Sequence, residues 1–301
     1  LLAVSGSPPI VPARVPTYLL TIAYHGTRFH GWQQQTGFRT VQEDLTRAFA
    51  AIDCPGVHVE GAGRTDAGVH ALGQCAHVVV ERDFAPDRLL LALNTHLEDD
   101  VAVQEVRRAP EGFHARFHAA GKRYAYRCVT APVRPAIGRD LYHWVRRPLD
   151  LAAMRAAAQC LVGRHDFASF ASNPGYARKR GTTRTLQHVH LLRRSGGFDF
   201  VVQGSGFLYN MVRNLMGSLL EVGFGNRPPQ WFAEVLAARD RRRAGPTAPP
   251  HGLYLLRVLY APDLSPAGEE PGVEPAAAAG EPAGERAAER AGEGTDAAGD
   301  D

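Results

Sequence analysis

Gly61-Ala62-Gly63-Arg64-Thr65-Asp66-Ala67-Gly68-Val69-His70 is the stretch on which the reading of this chain turns. It follows a strand-like run, Val57–Glu60, and leads towards another, Gln74–Glu81. Three glycines in eight positions permit a tight turn and let a ligand approach the backbone closely. They do not make a dinucleotide fingerprint, because the third glycine of GxGxxG would fall at position 66, which is Asp. What the loop offers instead is one carboxylate, Asp66, two residues after a guanidinium, Arg64. Taken alone, an aspartate in a glycine-rich turn more often closes the turn through its side chain than does chemistry.

Outward from this loop the hydrophobic pattern alternates between strand and helix. Tyr18–Tyr24 has strand character, and Val41–Ile52 has helical spacing behind a capping residue, Thr40. Pro86–Leu93 reads as a helix with proline in its first turn, and Val101–Arg107 as a strand, so the first half runs βαββαβ. A second pass follows. It comprises a strand at Arg123–Thr130, a helix at Leu151–Leu161, strands at Leu186–Arg193 and Phe198–Gln203, helices at Leu208–Val222 and Pro229–Ala238, and a closing strand at Leu253–Tyr260. The pattern predicts an α+β protein of two halves, residues 17–130 and 131–260. The proline-broken residues 1–16 are expected to be a disordered leader. Residues 261–301 are almost wholly Ala, Gly, Glu, Pro and Asp and are expected to be a disordered acidic tail.

Charge is distributed unevenly over this plan. Eleven acidic residues against Arg286 and Arg290 leave residues 261–301 at −9, so residues 1–260 carry +12 of the net +3. A body of that charge favours a polyanionic partner. All but two of the 34 basic residues are arginine, which suits phosphate forks and base stacking; the exceptions are Lys122 and Lys179. Arg178-Lys179-Arg180 and Arg241-Arg242-Arg243 are short basic runs suited to phosphate contacts or simply to solvation. With 45% apolar and 22% charged residues the composition is that of a globular protein, and no apolar run approaches the roughly 20 residues that span a bilayer. Membrane association is not expected. The cysteines at 54, 75, 128 and 160 are too far apart for a zinc pair or a disulfide framework, which fits a cytoplasmic location. His114 and His118 lie four apart and His188 and His190 two apart, spacings compatible with metal ligands, but no HExxH motif accompanies them. Phe29 and Trp32 suit either the core or a cleft wall.

Six blocks in order carry a resemblance. Besides Gly61–Ala71 they are His30-Gly31-Trp32-Gln33 with Val41-Gln42, Phe113-His114-Ala115-Arg116-Phe117, Lys122-Arg123-Tyr124-Ala125-Tyr126, Thr182-Thr183-Arg184-Thr185, and Gly206-Phe207-Leu208-Tyr209-Asn210-Met211-Val212-Arg213-Asn214. Together, from about Thr17 to Tyr260, the chain resembles the TruA-type tRNA pseudouridine synthases. The resemblance implies two ferredoxin-like halves with mostly antiparallel sheets joined around a basic cleft, a homodimer, and tRNA as partner. It implies isomerisation of uridine at about positions 38, 39 and 40 of the anticodon stem-loop, recognised mainly through RNA shape and backbone.

That reaction breaks the N1–C1′ bond, turns the held uracil and joins C5 to C1′, with no cofactor, no metal and no small-molecule co-reactant implied. By resemblance Asp66 is the essential aspartate, acting as covalent catalyst or assisting glycal formation. Arg213 is its ion-pair partner, expected to hold the carboxylate pKa low. Tyr124 matches the active-site tyrosine, which stacks on the extruded uracil and serves in removing the C5 proton. Periodicity alone puts Tyr124 and Tyr126 on one strand face, and only the motif separates them. Arg64 matches the arginine that helps push the target base from its stack, and Leu208 an apolar wall of the uracil pocket. A non-catalytic RNA-binding or chaperone protein would not need the set Arg64, Asp66, Tyr124 and Arg213. A metal-dependent nucleic-acid hydrolase would need clustered ligands.

Overall fold

Alternation of apolar side chains makes Thr17–Tyr24 (β1) the first strand, every second residue of which is fully buried. Thr40 accepts a hydrogen bond from the Glu43 amide and so caps the helix Val41–Ala51 (α1), which buries Val41, Leu45, Ala48 and Phe49. A two-residue strand, Glu60–Gly61 (β2), precedes His70–Val79 (β3); then come Pro86–Thr95 (α2) and Val101–Ala109 (β4). The second pass contains Gly121–Thr130 (β5), His143–Val145 (β6), Leu151–Ala158 (α3), Gly163–Asp166 (β7), Thr183–Arg194 (β8) and Gly197–Gly204 (β9). It closes with Met211–Gly223 (α4), Gln230–Ala238 (α5) and Leu253–Leu259 (β10). The computed structural model describes residues 15–173 and 181–261. The expected leader, the acidic tail and the run Arg178-Lys179-Arg180 therefore lie outside the described residues, apart from Val15, Pro16 and Ala261.

The strands form one mixed sheet in the order β4-β1-β3-β10-β5-β9-β8-β7, with β2 beside β3 and β6 beside β5. Pairing is antiparallel except for β10 with β3 and β5 with β6. The closing strand lies between β3 and β5: Tyr254 is opposite His70 on one side and opposite Ala125 on the other. Mostly antiparallel pairing and the βαββαβ order of the first half agree with the α+β fold expected from the sequence.

Of the boundaries that differ from the sequence pattern, three have a local reason. Val57–Val59 does not join the ladder; the Val59 carbonyl instead accepts a hydrogen bond from the Gln42 side chain. β3 begins four residues before the alternating run at Gln74, because Gly73 lets the backbone of β10 approach where a Cβ would meet the Leu256 carbonyl at 2.6 Å. α4 begins at Met211 rather than Leu208, because Asn210 takes left-handed backbone angles (φ 58°) and so cannot continue a helix.

Candidate active site

The loop between β2 and β3 is pinned from beneath by the Phe29–Trp32 segment. The Trp32 amide donates to the Thr65 carbonyl (3.2 Å), the Gly68 amide to the Phe29 carbonyl (3.2 Å), and the Tyr24 and Thr65 hydroxyls share a bond of 2.7 Å. Gly31, at φ +89°, must be glycine: a Cβ there would stand 2.5 Å from the Thr65 carbonyl. Trp32 is buried directly against Gly61 and also lines the cavity above it, so it is both core and cleft wall; Phe29 is core, with the Arg39 guanidinium 4.3 Å over its ring.

This rigid seat presents Asp66 to α4. One Asp66 carboxylate oxygen lies 3.2 Å from Arg213 Nη1, with both side chains largely buried. Arg213 is itself fixed from two directions, since its Nε donates to the Ala248 carbonyl (2.8 Å) and its Nη1 to Asn210 Oδ1 (3.0 Å). The left-handed turn at Asn210 is what brings its side chain back over the first turn of α4. The expected lowering of the Asp66 pKa is not found: burial raises it above the ordinary carboxylate value, and the charge and hydrogen bond of Arg213 offset only part of that rise. The outcome is a largely buried carboxylate whose charged form is favoured by one neighbouring cation.

The other candidates meet this pair around a single open cavity of about 790 Å³, lined by Arg64, Asp66, Tyr124 and Leu208. Arg213 stands behind Asp66. Tyr124, in β5 between Val202 and Leu255, is buried and packs edge-on to Phe207 at 4.9 Å. Burial raises its phenol pKa, so it is neutral at ordinary pH. Tyr126 is separated from it by a different fate: fully buried, it donates to the Pro249 carbonyl at 2.8 Å and does not line this cavity. Arg64 is exposed at the rim, its Nε donating to Gln33 Oε1 at 3.1 Å. Gln33 is held in turn by buried Gln42 (2.7 Å), whose amide bonds the Val59 carbonyl (2.9 Å).

Lys122, Arg116, Arg184, Gln33 and Asn210 also line the cavity, and sequence reasoning gave none of them a role. One signal was available: Lys122 is one of only two lysines in an arginine-rich chain. His114 and His118 accept neighbouring backbone amides through Nδ1 (3.1 and 3.0 Å), and among the described residues no group of three or more His, Cys, Asp or Glu side chains is placed to hold a metal. Arg241 of the other basic run turns inward to Asn214 Oδ1 and the Gly245 carbonyl, while Arg242 is paired with Asp240.

A cation-rich cavity in an α+β fold, with the largely buried Asp66 carboxylate paired to Arg213 on its wall, suits an enzyme that acts on a polyanion. Comparison with known proteins narrows this. The profile of the tRNA pseudouridine synthases matches residues 20–118 and 157–261. The chain is 45% identical over 245 residues to the tRNA pseudouridine synthase A of Methylibium petroleiphilum, covering 81% of this chain and 94% of that one. It is 44% identical to the protein of that name from Pseudomonas aeruginosa (82% and 87% covered) and 41% identical to that of Acetivibrio thermocellus (80% and 98%). The chain belongs to the tRNA pseudouridine synthase family, isomerases that convert uridine to pseudouridine in tRNA. A non-catalytic reading has no support from these relatives.

Proposed function

We propose that this chain isomerises uridine at about positions 38, 39 and 40 of the tRNA anticodon stem-loop, with Asp66 as the nucleophile. The observation that carries the reading is the Asp66–Arg213 pair at 3.2 Å on the wall of a cavity otherwise rich in cations. The reaction is balanced within the nucleotide. The N1–C1′ bond breaks, the uracil turns, C5 bonds to C1′, and the proton lost from C5 is made up at N1. A desolvated carboxylate is more reactive towards the sugar or base than a hydrated one, and Arg213 keeps it ionised. Arg64 enters the space left in the stack as the target base swings out. Leu208 and Tyr124 then enclose the uracil, Tyr124 supplying a stacking face worth about 1–3 kcal/mol. A phenol held neutral takes up the C5 proton only by passing its own onward, so Tyr124 works as a relay at that stage.

The same reading includes a homodimer in the cytoplasm. Val133 and Ile137 are 77% and 91% exposed on the segment joining β5 to β6, an apolar surface suited to a second copy. The four free thiols suit a reducing compartment. The test is pseudouridine mapping on tRNA incubated with the purified chain, without added metal or cofactor. New pseudouridine in the anticodon arm with the wild type and none with Asp66→Asn, at a tRNA Kd changed by less than about threefold, is the expected result. Pseudouridine elsewhere, or equal loss of binding and turnover in a folded variant, would overturn the site assignment.

A further inference from the structure

Lys122 of β5 reaches under the catalytic loop, and its ammonium ends beside Gly63. A Cβ at position 63 would lie 2.2 Å from Lys122 Nζ, so the second glycine of the loop makes room for this side chain. Among the described residues the ammonium has one hydrogen-bond partner, the Ala62 carbonyl at 2.9 Å, and no carboxylate pairs with it. Enclosing a cation without a counter-ion is costly, and here the cost is raised by a second cation, Arg116, which lines the same cavity. Burial first, and then the like charge of Arg116, push Lys122 down to about 8. The Arg116 side chain is exposed and forms no ion pair among the described residues. Glu60, a carboxylate in the same lining, is hydrogen-bonded to His58 at 3.0 Å. Two neighbouring cations, neither ion-paired among the described residues, suit an anion that arrives with the substrate.

We infer that Lys122 and Arg116 form a phosphate site that grips one phosphodiester of the RNA backbone within a nucleotide of the target uridine. The site lies three to four residues along the loop from Asp66, so it fixes the strand next to the nucleotide that must swing out and turn. Lys122 serves as the enclosed point charge and Arg116 as the fork at the rim. The hydrogen bond to Ala62 ties the same ammonium to the loop, so phosphate and carboxylate are held in one frame. The inference rests on the tRNA reading, which the unmodified substrate tests separately.

The experiment uses full-length protein and tRNA ligated from synthetic pieces, with a single neutral methylphosphonate placed in turn at each phosphate flanking the target uridine. Pseudouridine formation on unmodified tRNA by the wild type establishes the reading itself. At one position the methylphosphonate is expected to raise the wild-type Kd about tenfold. In Lys122→Met the Kd is already raised, and the same methylphosphonate adds less than about twofold, the non-additivity of partners in one contact. Arg116→Gln, a change at an exposed residue, repeats the cycle at the same position should Lys122→Met not fold. A lysine that merely props the loop would lower kcat while leaving every methylphosphonate penalty at its wild-type size. That outcome, or full penalties in Arg116→Gln, would overturn the proposal.

Discussion

The two ends of the cavity handle buried charge in opposite ways. At the Asp66 end the protein supplies both partners, and Arg213 is tied to the Ala248 carbonyl and to Asn210 as well as to the carboxylate. At the Lys122 end the two cations have no ion-pair partner among the described residues, and one of them is held by a lone carbonyl. The difference separates chemistry from recognition. A nucleophile must be ionised before the substrate arrives, so its counter-charge is built in. A phosphate contact gains most when the substrate itself completes the pair, because a built-in carboxylate would have to be displaced first.

The sharpest way to break this contrast is to remove the built-in partner. Arg213→Gln leaves Asp66 buried with no cation. Since burial already raises the Asp66 pKa and Arg213 is what opposes it, the variant's pKa rises further. The carboxylate must be ionised to act, so activity is lost as pH falls through its pKa, and the acid limb of the kcat–pH profile moves to higher pH. Near neutrality kcat is expected to fall about a hundredfold or more. A profile that keeps its acid limb while kcat falls would mean that Arg213 acts on RNA or on the fold, and the contrast would fail.

Burial can also be resolved by giving up charge, and His70 at the far end of the catalytic loop does so. Its Nδ1 accepts the Gly26 amide (3.0 Å), so Nε2 carries the proton and donates to the Asp140 carbonyl (2.8 Å). It stacks on Tyr254 at 4.7 Å, with His25 edge-on at the same distance. Burial pushes its pKa down to about 4. The unfolded chain, with histidine near 6.5, therefore binds more protons across this window, and stability is full above about 6.5 and falls as pH drops towards 4. For this fully buried ring the loss is on the order of 3 kcal/mol. Urea midpoints of the wild type and His70→Asn at about pH 7.5 and 5 isolate it from His143, also held near 4: the variant should lose less on acidification. Equal losses would show that the ring is not the group that titrates.

Much of this was legible in the sequence because the relevant signals are local. Thr40 before an amphipathic run predicts the cap and start of α1, and alternation predicts β1, β4, β8 and β9 to within a few residues. The short strands β6 and β7 were not, since three or four residues carry no periodicity and pair only because a neighbour's edge is free. At the site, the motifs named Arg64, Asp66, Tyr124, Leu208 and Arg213, and the fold brings them to one place. What the motifs did not convey was the balance at Asp66, because desolvation belongs to the assembled wall and not to any neighbour in sequence. Lys122 was hidden for a similar reason: its significance lies in the partner it lacks, and a missing partner has no sequence signature.

Arg64 tests the contrast in its mildest form. It is a cation held by a neutral amide, its Nε bonded to Gln33 Oε1, and Gln33 is backed by Gln42 rather than by any carboxylate. The amide sets the direction of the guanidinium while leaving its charge free for RNA. Gln33→Ala should therefore loosen a wedge without removing it. The penalty is expected to fall on kcat/KM for a uridine paired in a stem, about threefold to tenfold, and to be smaller for the same uridine opposite a mismatch, where extrusion is already cheap. A general weakening of the loop would lower both substrates alike. Gln33→Glu sharpens the point further: a carboxylate there would neutralise Arg64 while giving up the hydrogen bond that Gln33 Nε2 donates to Gln42 Oε1, so tRNA affinity should fall and its salt dependence flatten by close to one phosphate contact. If Gln33→Glu instead binds tRNA as tightly as the wild type with an unchanged salt slope, uncompensated charge is not what the recognition end of the cavity uses.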